Sequence, residues 1–225
     1  MTNAIDAQKD YSAQTSKGFY PILVAVFVSL LLISNIGAVK LIQFGGFITD
    51  GGLFLFPLVY IVGDILSEVY GFKAARKAIY TAFAMAILAS FTFWLVQISP
   101  PASDWPNQES FEAVLGFVPR IVFASVTAFF VGQLLNAYVL VKIKEKTKEK
   151  SLWLRLMGST LVGQFVDTLI FCTIAFYGVI TGATFISYVA FGFFYKTLVE
   201  FALVPITYQV IKLVKKHEPS YQAVA

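Results

Sequence analysis

The chain has 225 residues, of which 58% are hydrophobic and 13% are charged, and its mean hydropathy is +0.75. Soluble domains carry about 25% charged residues, so this deficit excludes an ordinary water-soluble fold and predicts an integral membrane protein. The formal net charge of +4 is concentrated in a few loops, which favours membrane topology over nucleic-acid binding. With one cysteine, Cys172, the chain cannot form an internal disulfide.

Six apolar segments, each about 20 residues or longer, follow one another and could each cross a bilayer core of about 30 Å. The polar residues 1–18 are interpreted as a flexible cytoplasmic tail, residues 19–214 as a transmembrane domain and residues 215–225 as a second cytoplasmic tail. The expected spans are 19–42, 52–70, 78–98, 118–141, 152–180 and 185–214. We therefore expect an all-α membrane protein, a six-transmembrane-helix bundle.

The orientation of this bundle is predicted by the positions of lysine and arginine, which accumulate in cytoplasmic loops. The connections after the second and fourth spans and the C-terminal tail are basic, with Lys73, Arg76 and Lys77 in the first of them. The long connection after the third span instead carries Asp104 and Glu109. Both termini are therefore expected in the cytoplasm.

Polar residues inside the apolar spans occur in pairs three or four residues apart, which places both members on one helical face. A charge at the centre of a membrane costs about 2.5–3.5 kcal/mol on insertion scales, so each one is expected to have a function or a partner. Polar faces on several helices could enclose a hydrophilic cavity, which would be a site for a small polar solute. The candidate substrate-binding residues are Asn35, Asp64, Glu68, Gln133, Asn136, Gln164, Asp167, Lys196 and Glu200.

A purely structural interpretation remains open for most of these pairs. Gln133 and Asn136 could provide hydrogen bonds between helices, and Lys196 and Glu200 could neutralise each other within one helix. Asp64 and Glu68 could pair with the basic residues that follow them. Asp167 is the hardest to explain in this way, because no cation lies near it in the sequence.

A short pattern recurs three times, at residues 62–67, 131–136 and 162–167. Each copy reads Val-Gly-polar-apolar-apolar-polar, with the glycine at Gly63, Gly132 or Gly163. A glycine directly before a polar residue allows neighbouring helix backbones to approach closely. Two of the copies occupy equivalent places in two three-helix halves, which is compatible with an inverted repeat.

Residues 63–71, Gly-Asp-Ile-Leu-Ser-Glu-Val-Tyr-Gly, with Lys73 and Arg76 after them, resemble the signature of the queuosine precursor transporter family, and residues 163–168 resemble its second marker. This family belongs to the vitamin uptake transporter group and is similar to the membrane-embedded substrate-binding subunits of energy-coupling-factor transporters. The resemblance implies import of 7-cyano- or 7-aminomethyl-7-deazaguanine across a bacterial inner membrane for salvage into tRNA modification. It implies a small-molecule substrate and the lipid bilayer as partners, with no cofactor and no nucleic acid.

Such a substrate has a guanine-like edge whose two adjacent donors a carboxylate can accept. Asp167 and Glu68 are the leading candidates for this carboxylate, and a precursor with an aminomethyl cation would also favour a free acid such as Asp64 or Glu200. The donors to the ring oxygen and nitrogens would be drawn from Gln133, Asn136, Gln164 and Lys196.

Two other classes of function are alternatives to a transporter. An intramembrane protease is disfavoured because the Gly-x-Gly-Asp pattern is absent, with Ile61 at its first position, and because the sole histidine, His217, lies near the C-terminus. A substrate-capture subunit for a vitamin-like solute would need a separate ATP-driven module, since the chain has no phosphate-binding loop. A homo-oligomer or an energising partner is compatible with either transport mode.

Overall fold

The structure is a computed structural model that describes residues 13, 15, 18–147 and 152–221. The side chains at 136, 137, 140, 141, 144–147, 152–157 and 159 lie outside this description. The helices are α1 (Tyr20–Gly37), α2 (Phe56–Ile98), α3 (Gln108–Leu115), α4 (Val118–Thr147), α5 (Leu152–Phe176) and α6 (Gly182–His217), and two short strands, β1 (Leu41–Phe44) and β2 (Phe47–Asp50), lie between α1 and α2.

Four stretches of the described chain are long and apolar enough to cross a membrane, namely 20–37, 56–98, 108–135 and 182–217. A fifth apolar stretch, 160–176 in α5, is shorter. The predicted helical membrane protein is therefore confirmed at the level of a mostly helical chain with four candidate spans in its described part.

Helix α2 contains a break at Gly71, where φ is 79° and ψ is 167°. Only glycine adopts this conformation without strain, so the position requires it. At about 1.5 Å per residue, the 43 residues of α2 reach about twice the thickness of a bilayer core. Residues 71–77, expected as a loop between two spans, are thus helical except at this break, which divides α2 into two segments.

The connection between α1 and α2 contains a β-hairpin that the sequence patterns did not predict. Strands β1 and β2 pair in antiparallel register, with Phe44 opposite Phe47. The turn residues Gly45 and Gly46 both have positive φ, 51° and 95°, as the tight turns that suit twisted hairpins require. The first span was expected to continue to residue 42 and instead ends at Gly37, because the backbone after it pairs as a strand.

The bundle is held by α4 packed along α5, by α1 packed on α2, and by α6 packed against both α2 and α5. The crossing of α4 and α5 is close at Gly132, where an added Cβ would lie 3.0 Å from Cβ of Asp167 and 3.1 Å from the carbonyl oxygen of Gly163. Two of the three glycines in the repeated pattern therefore meet at one helix crossing, and the close backbone approach expected of such glycines is found there.

The residue that follows α6 joins three parts of the chain. The carboxylate of Glu218, only 4% exposed, accepts hydrogen bonds from the backbone N–H of Phe19 at 2.9 Å and from the hydroxyls of Ser220 at 2.7 Å and Tyr70. Tyr70 directly precedes the break in α2, so this contact connects the start of α1, the break and the end of α6.

Candidate functional site

A cavity of about 470 Å³ lies between α1, the hairpin, α2, α4, α5 and α6. Its volume is within the range of about 300–1,000 Å³ that is usual for small-molecule sites. Most of its wall is apolar and aromatic, with polar groups contributed by every one of these elements. The polar and ionisable lining residues are Ser34, Asn35, Thr49, Asp50, Tyr60, Asp64, Ser67, Ser125, Gln133, Thr160, Gln164, Asp167, Thr168, Cys172, Tyr188, Tyr195, Lys196 and Glu200.

An ion pair across the wall of this cavity joins α5 to α6. Nζ of Lys196 lies 3.3 Å from Oδ2 of Asp167, and the two side chains are 17% and 26% exposed. The same ammonium lies over two aromatic rings, 4.5 Å from the centroid of Phe56 and 5.7 Å from that of Phe171. Cation–π contacts and the carboxylate together stabilise a charge that would otherwise be costly at this depth.

Three buried polar side chains in the lining have a donor without a hydrogen-bond partner. They are Asn35 at Nδ2, Gln164 at Nε2 and Thr168 at Oγ1. The carbonyl oxygens of the two amides do have partners. Asn35 Oδ1 accepts a hydrogen bond from Ser125 Oγ at 3.0 Å, and Gln164 Oε1 accepts one from Thr197 Oγ1 at 3.0 Å. Since buried polar groups are nearly always paired, unpaired donors around one cavity indicate a place for ligand acceptors.

A second group of ionisable residues lines the cavity where α2 faces α6. Asp64 and Glu200 both line the cavity, and the amide of Gln164 faces the carboxylate of Glu200, to which it can donate a hydrogen bond. The phenol of Tyr60 interacts electrostatically with the carboxyl groups of Asp167, Glu200 and Asp64. Carboxylates from α2, α5 and α6 therefore line the same cavity as this phenol.

Sequence reasoning missed a further carboxylate, Asp50, at the end of strand β2. Its Oδ2 accepts a hydrogen bond from the hydroxyl of Tyr188 at 2.7 Å, and its Oδ1 accepts from the N–H of Gly52 at 2.9 Å. The prediction rested on polar residues inside the apolar spans, and Asp50 lies in the connection between the first and the second expected span. The signal that could have found it is Asp-Gly-Gly directly before an apolar run, because an aspartate there can cap the following turn.

The structure brings together seven of the nine predicted residues, which line the cavity: Asn35, Asp64, Gln133, Gln164, Asp167, Lys196 and Glu200. Glu68 is not among them; its Oε1 lies 2.6 Å from Nζ of Lys215 and its side chain is 57% exposed. The side chain of Asn136 lies outside the described residues. Lys196 pairs with Asp167 on α5, whereas the structural interpretation had paired it with Glu200 on its own helix.

Within the described residues, no group of three or more histidine, cysteine, aspartate or glutamate side chains could hold a metal ion. The polar groups of the cavity are instead arranged as separate donors and acceptors on an apolar wall, which is the usual composition of an organic ligand site.

Apolar helices around an internal cavity with a few polar groups on its wall define the class of a multi-pass membrane protein for a small-molecule substrate. A family model described as "Putative vitamin uptake transporter" matches residues 50–210, and the chain belongs to this family of bacterial inner-membrane transporters. The match covers every cavity-lining helix except α1.

Three relatives of the chain are named as transporters of the same class of compound. A "Probable queuosine precursor transporter" of Bacillus subtilis is 30% identical over 206 residues, which cover 91% of this chain and 90% of the relative. The "Queuosine precursor transporter" of Escherichia coli is 30% identical over 132 residues, 59% of this chain and 57% of the relative. A "Probable queuosine precursor transporter" of Haemophilus influenzae is 30% identical over 126 residues, 56% of this chain and 51% of the relative. No solved structure matches the chain.

Proposed function

We propose that this chain imports queuosine precursors, 7-cyano- and 7-aminomethyl-7-deazaguanine, across the bacterial inner membrane for salvage into tRNA modification. The names of three relatives support this, one of them similar along nine tenths of its length. The observation that carries the proposal is the ion pair of Asp167 and Lys196 on the wall of a cavity of about 470 Å³.

The pair suits the edge of a guanine-like base. That edge has a carbonyl oxygen beside a ring N–H, with an exocyclic amine next to the N–H, so it presents one acceptor followed by two donors. Lys196 offers a donor and Asp167 an acceptor side by side, with 3.3 Å between Nζ and Oδ2. In the proposed complex the ammonium donates to the carbonyl oxygen, and the carboxylate accepts from the adjacent N–H groups.

The remaining polar groups suit the rest of the ring system. The unpaired donors of Asn35 and Thr168 can satisfy acceptors of the heterocycle, and the aromatic residues of the wall offer apolar faces for stacking. A site of this kind rejects analogues strongly, because each missing hydrogen bond leaves a buried polar group unpaired. Glu68, paired with Lys215 away from the cavity, is not part of the proposed contact set.

We also propose the finer topology, in which the chain crosses the membrane six times with both termini in the cytoplasm. The break at Gly71 supports this count, because it separates the long helical segment that follows it from residues 51–70, which comprise the turn Gly51–Phe54 and the first part of α2. Cysteine labelling tests it: with Cys172 replaced by Ala, a Lys73→Cys variant should react with a membrane-impermeant maleimide only in inverted vesicles, and an Asp104→Cys variant only in intact cells. The opposite labelling pattern would contradict the orientation.

The transport proposal is tested with purified protein in liposomes that contain no other protein. We expect uptake of radiolabelled 7-cyano- or 7-aminomethyl-7-deazaguanine, competition by excess unlabelled precursor, and little competition by a vitamin. An Asp167→Asn variant is expected to lose uptake while reaching the membrane at the normal level. Absence of both binding and uptake by the wild-type protein would contradict the proposal, and binding without uptake would indicate a capture subunit that needs an ATP-driven partner.

We further propose that the chain is a transporter without enzymatic activity, which its family name supports. Chromatography of the transported compound after uptake into liposomes tests this. We expect the compound to be recovered chemically unchanged, and conversion to a product by the purified protein would refute this part of the proposal.

A further inference from the structure

Two contacts join the end of α6 to the part of α2 that directly precedes the break at Gly71. Oε1 of Glu68 lies 2.6 Å from Nζ of Lys215, and the hydroxyl of Tyr70 donates a hydrogen bond to the carboxylate of Glu218. The first contact is partly exposed. The second is buried, since Tyr70 and Glu218 are each 4% exposed. These two contacts together are called the clasp.

The clasp lies beyond the cavity along both helices that it joins. The last residue of α2 in the cavity wall is one turn before the clasp, at Ser67, and the last residue of α6 in the wall is Glu200. Beside the clasp the two helices meet in an apolar cluster, in which Leu66 and Val69 are 1% and 0% exposed. A solute that leaves the cavity between α2 and α6 in this direction must therefore separate the clasp.

Both clasped helices have an interrupted hydrogen-bond ladder near the clasp. In α2 the break at Gly71 frees the carbonyl group of Val69, which accepts a hydrogen bond from the N–H of Ala13 at 2.8 Å. In α6 Pro205 lies inside the helix, between the cavity and the clasp. Because proline has no N–H, a carbonyl group in the preceding turn loses its donor. Helices bend most sharply at such interruptions, so the segment of α6 after Pro205 can move relative to the cavity wall.

We infer that the clasp is a gate of the transport cycle, which closes the cavity on the side that we propose to be cytoplasmic and releases before the substrate leaves there. The inference rests on the proposed function and adds the element that moves, residues 206–217 of α6. The buried contact of Tyr70 with Glu218 stabilises the closed state. The exposed ion pair of Glu68 and Lys215 contributes little by itself, but it provides two positions at which the gate can be locked without a change in the cavity.

The first experiment locks the gate. Glu68→Cys and Lys215→Cys are combined with Cys172→Ala, which removes the native cysteine, and a short bifunctional methanethiosulfonate joins the two new thiols through disulfides. We expect the cross-linked protein to lose uptake of both 7-deazaguanine precursors in liposomes while it still binds them in detergent. A reducing agent cleaves the link and should restore uptake.

The matched control for the lock is a pair of cysteines within one helix. Lys212→Cys and Lys216→Cys lie one turn apart at exposed positions of α6, so the same reagent can join them without connecting α6 to α2. This protein should retain its uptake after cross-linking.

The second experiment loosens the gate. Tyr70→Phe keeps the ring and removes the hydroxyl that donates to Glu218, and the reporter is the native Cys172, which is 2% exposed in the cavity wall. Loss of a hydrogen bond to a charged group from the closed state should accelerate the reaction of Cys172 with a charged, membrane-impermeant thiol reagent about ten-fold in inverted vesicles. No such acceleration is expected in intact cells. Tyr208→Phe, at an exposed tyrosine of α6 outside the cavity wall, should change neither rate.

Two results would overturn the gate. One is unchanged uptake after positions 68 and 215 are cross-linked, or loss of binding together with uptake, which would mean that the link disturbs the site itself. The other is a Tyr70→Phe protein whose Cys172 reacts no faster, or reacts equally faster from both sides of the membrane. The labelling needs no substrate, so it decides on the gate even if the wild-type protein takes up neither precursor, which is the result that would reject the proposed function.

Discussion

Lys196 and Asp167 are 29 residues apart in the sequence and form an ion pair that joins α6 to α5 at the wall of the cavity. The pair accounts for two charges that each would be unfavourable alone in an apolar span. It also leaves both side chains partly accessible from the cavity, so they can exchange part of this contact for a contact with a solute.

Neutralising one member of this pair is expected to abolish transport. Lys196→Met leaves the carboxylate of Asp167 without its cation, and Asp167→Asn leaves the ammonium without its anion. Breaking a fully buried pair costs about 3–5 kcal/mol of stability, and the partial exposure of these side chains makes a smaller loss expected here. Uptake and the thermal unfolding midpoint in detergent should both be measured.

The double variant Lys196→Met with Asp167→Asn separates a structural role from a binding role. It removes both charges, so the unfolding midpoint should recover most of the loss seen in the single variants. Uptake should remain absent, because the donor and the acceptor for the base are both missing. If uptake recovered together with stability, the two residues would serve only to neutralise each other's charge and would have no role in substrate binding.

Thr168 provides a second test of the ligand site. Its side chain is 1% exposed and its hydroxyl has no partner, so Thr168→Val removes an unpaired polar group while nearly keeping the shape. We expect an unchanged or higher unfolding midpoint, together with weaker substrate binding by roughly three- to ten-fold, since a neutral hydrogen bond contributes about 0.5–1.5 kcal/mol.

Thr173→Val is the control on the same helix. The hydroxyl of Thr173 donates to the carbonyl of Leu169 at 2.7 Å and does not line the cavity, so binding should be unaffected. A Thr168→Val protein that binds as tightly as the wild type would argue against a ligand contact at this hydroxyl. Isothermal titration or a scintillation proximity assay measures the affinity.

Gly132 tests the close crossing of α4 and α5. A valine there would place its Cβ 3.0 Å from Cβ of Asp167 and 3.1 Å from the Gly163 carbonyl oxygen, and the two backbones would have to separate. We expect a fall in the unfolding midpoint that corresponds to about 1–3 kcal/mol, the usual cost of overpacking. Gly63→Ala is the comparison, because an added Cβ there meets only Phe27 at 3.7 Å and should change stability little.

Glu218 gives the chain a pH-dependent contact near the end of α6. Burial raises the pKa of this carboxyl, but hydrogen bonds from the Phe19 N–H, Ser220 and Tyr70 outweigh that effect, so the pKa lies below its usual value of 4.5. A lowered folded-state pKa means that the stabilisation is complete above the unfolded-state value and is lost as the pH falls through the folded-state value.

The Glu218→Gln variant should therefore unfold at a lower temperature than the wild type at pH 7, and the difference should shrink as the pH falls below 4.5. Tyr70→Phe should lose part of the same stabilisation, about 1.5–3 kcal/mol for a hydrogen bond to a charged group, and the two substitutions should be less than additive. A difference that is independent of pH would contradict a role for the ionised carboxylate.

Local patterns in the sequence were sufficient for the helical membrane class and for four of the five charged residues that line the cavity, Asp50 being the exception. An apolar run long enough to span a bilayer is a local property of the sequence. Such a run must be helical, because in lipid only hydrogen bonds within the segment can pair its backbone N–H and C=O groups. Asp64, Gln164, Asp167 and Glu200 were found in the same way, because a polar residue in an apolar span is conspicuous. The glycine repeat also indicated the close crossing at Gly132.

Contacts between segments that are distant in the sequence could not be predicted from local patterns. Two ion pairs depend on how α2, α5 and α6 pack against one another: Lys196 with Asp167, and Lys215 with Glu68. The spacing of side chains within one helix carries no information about this packing. Asp50 joined the site because the hairpin folds towards α6, where Tyr188 donates to it. Local patterns identify the residues that need partners, but the packing of the helices sets which partners they have, because that depends on distances across the bundle.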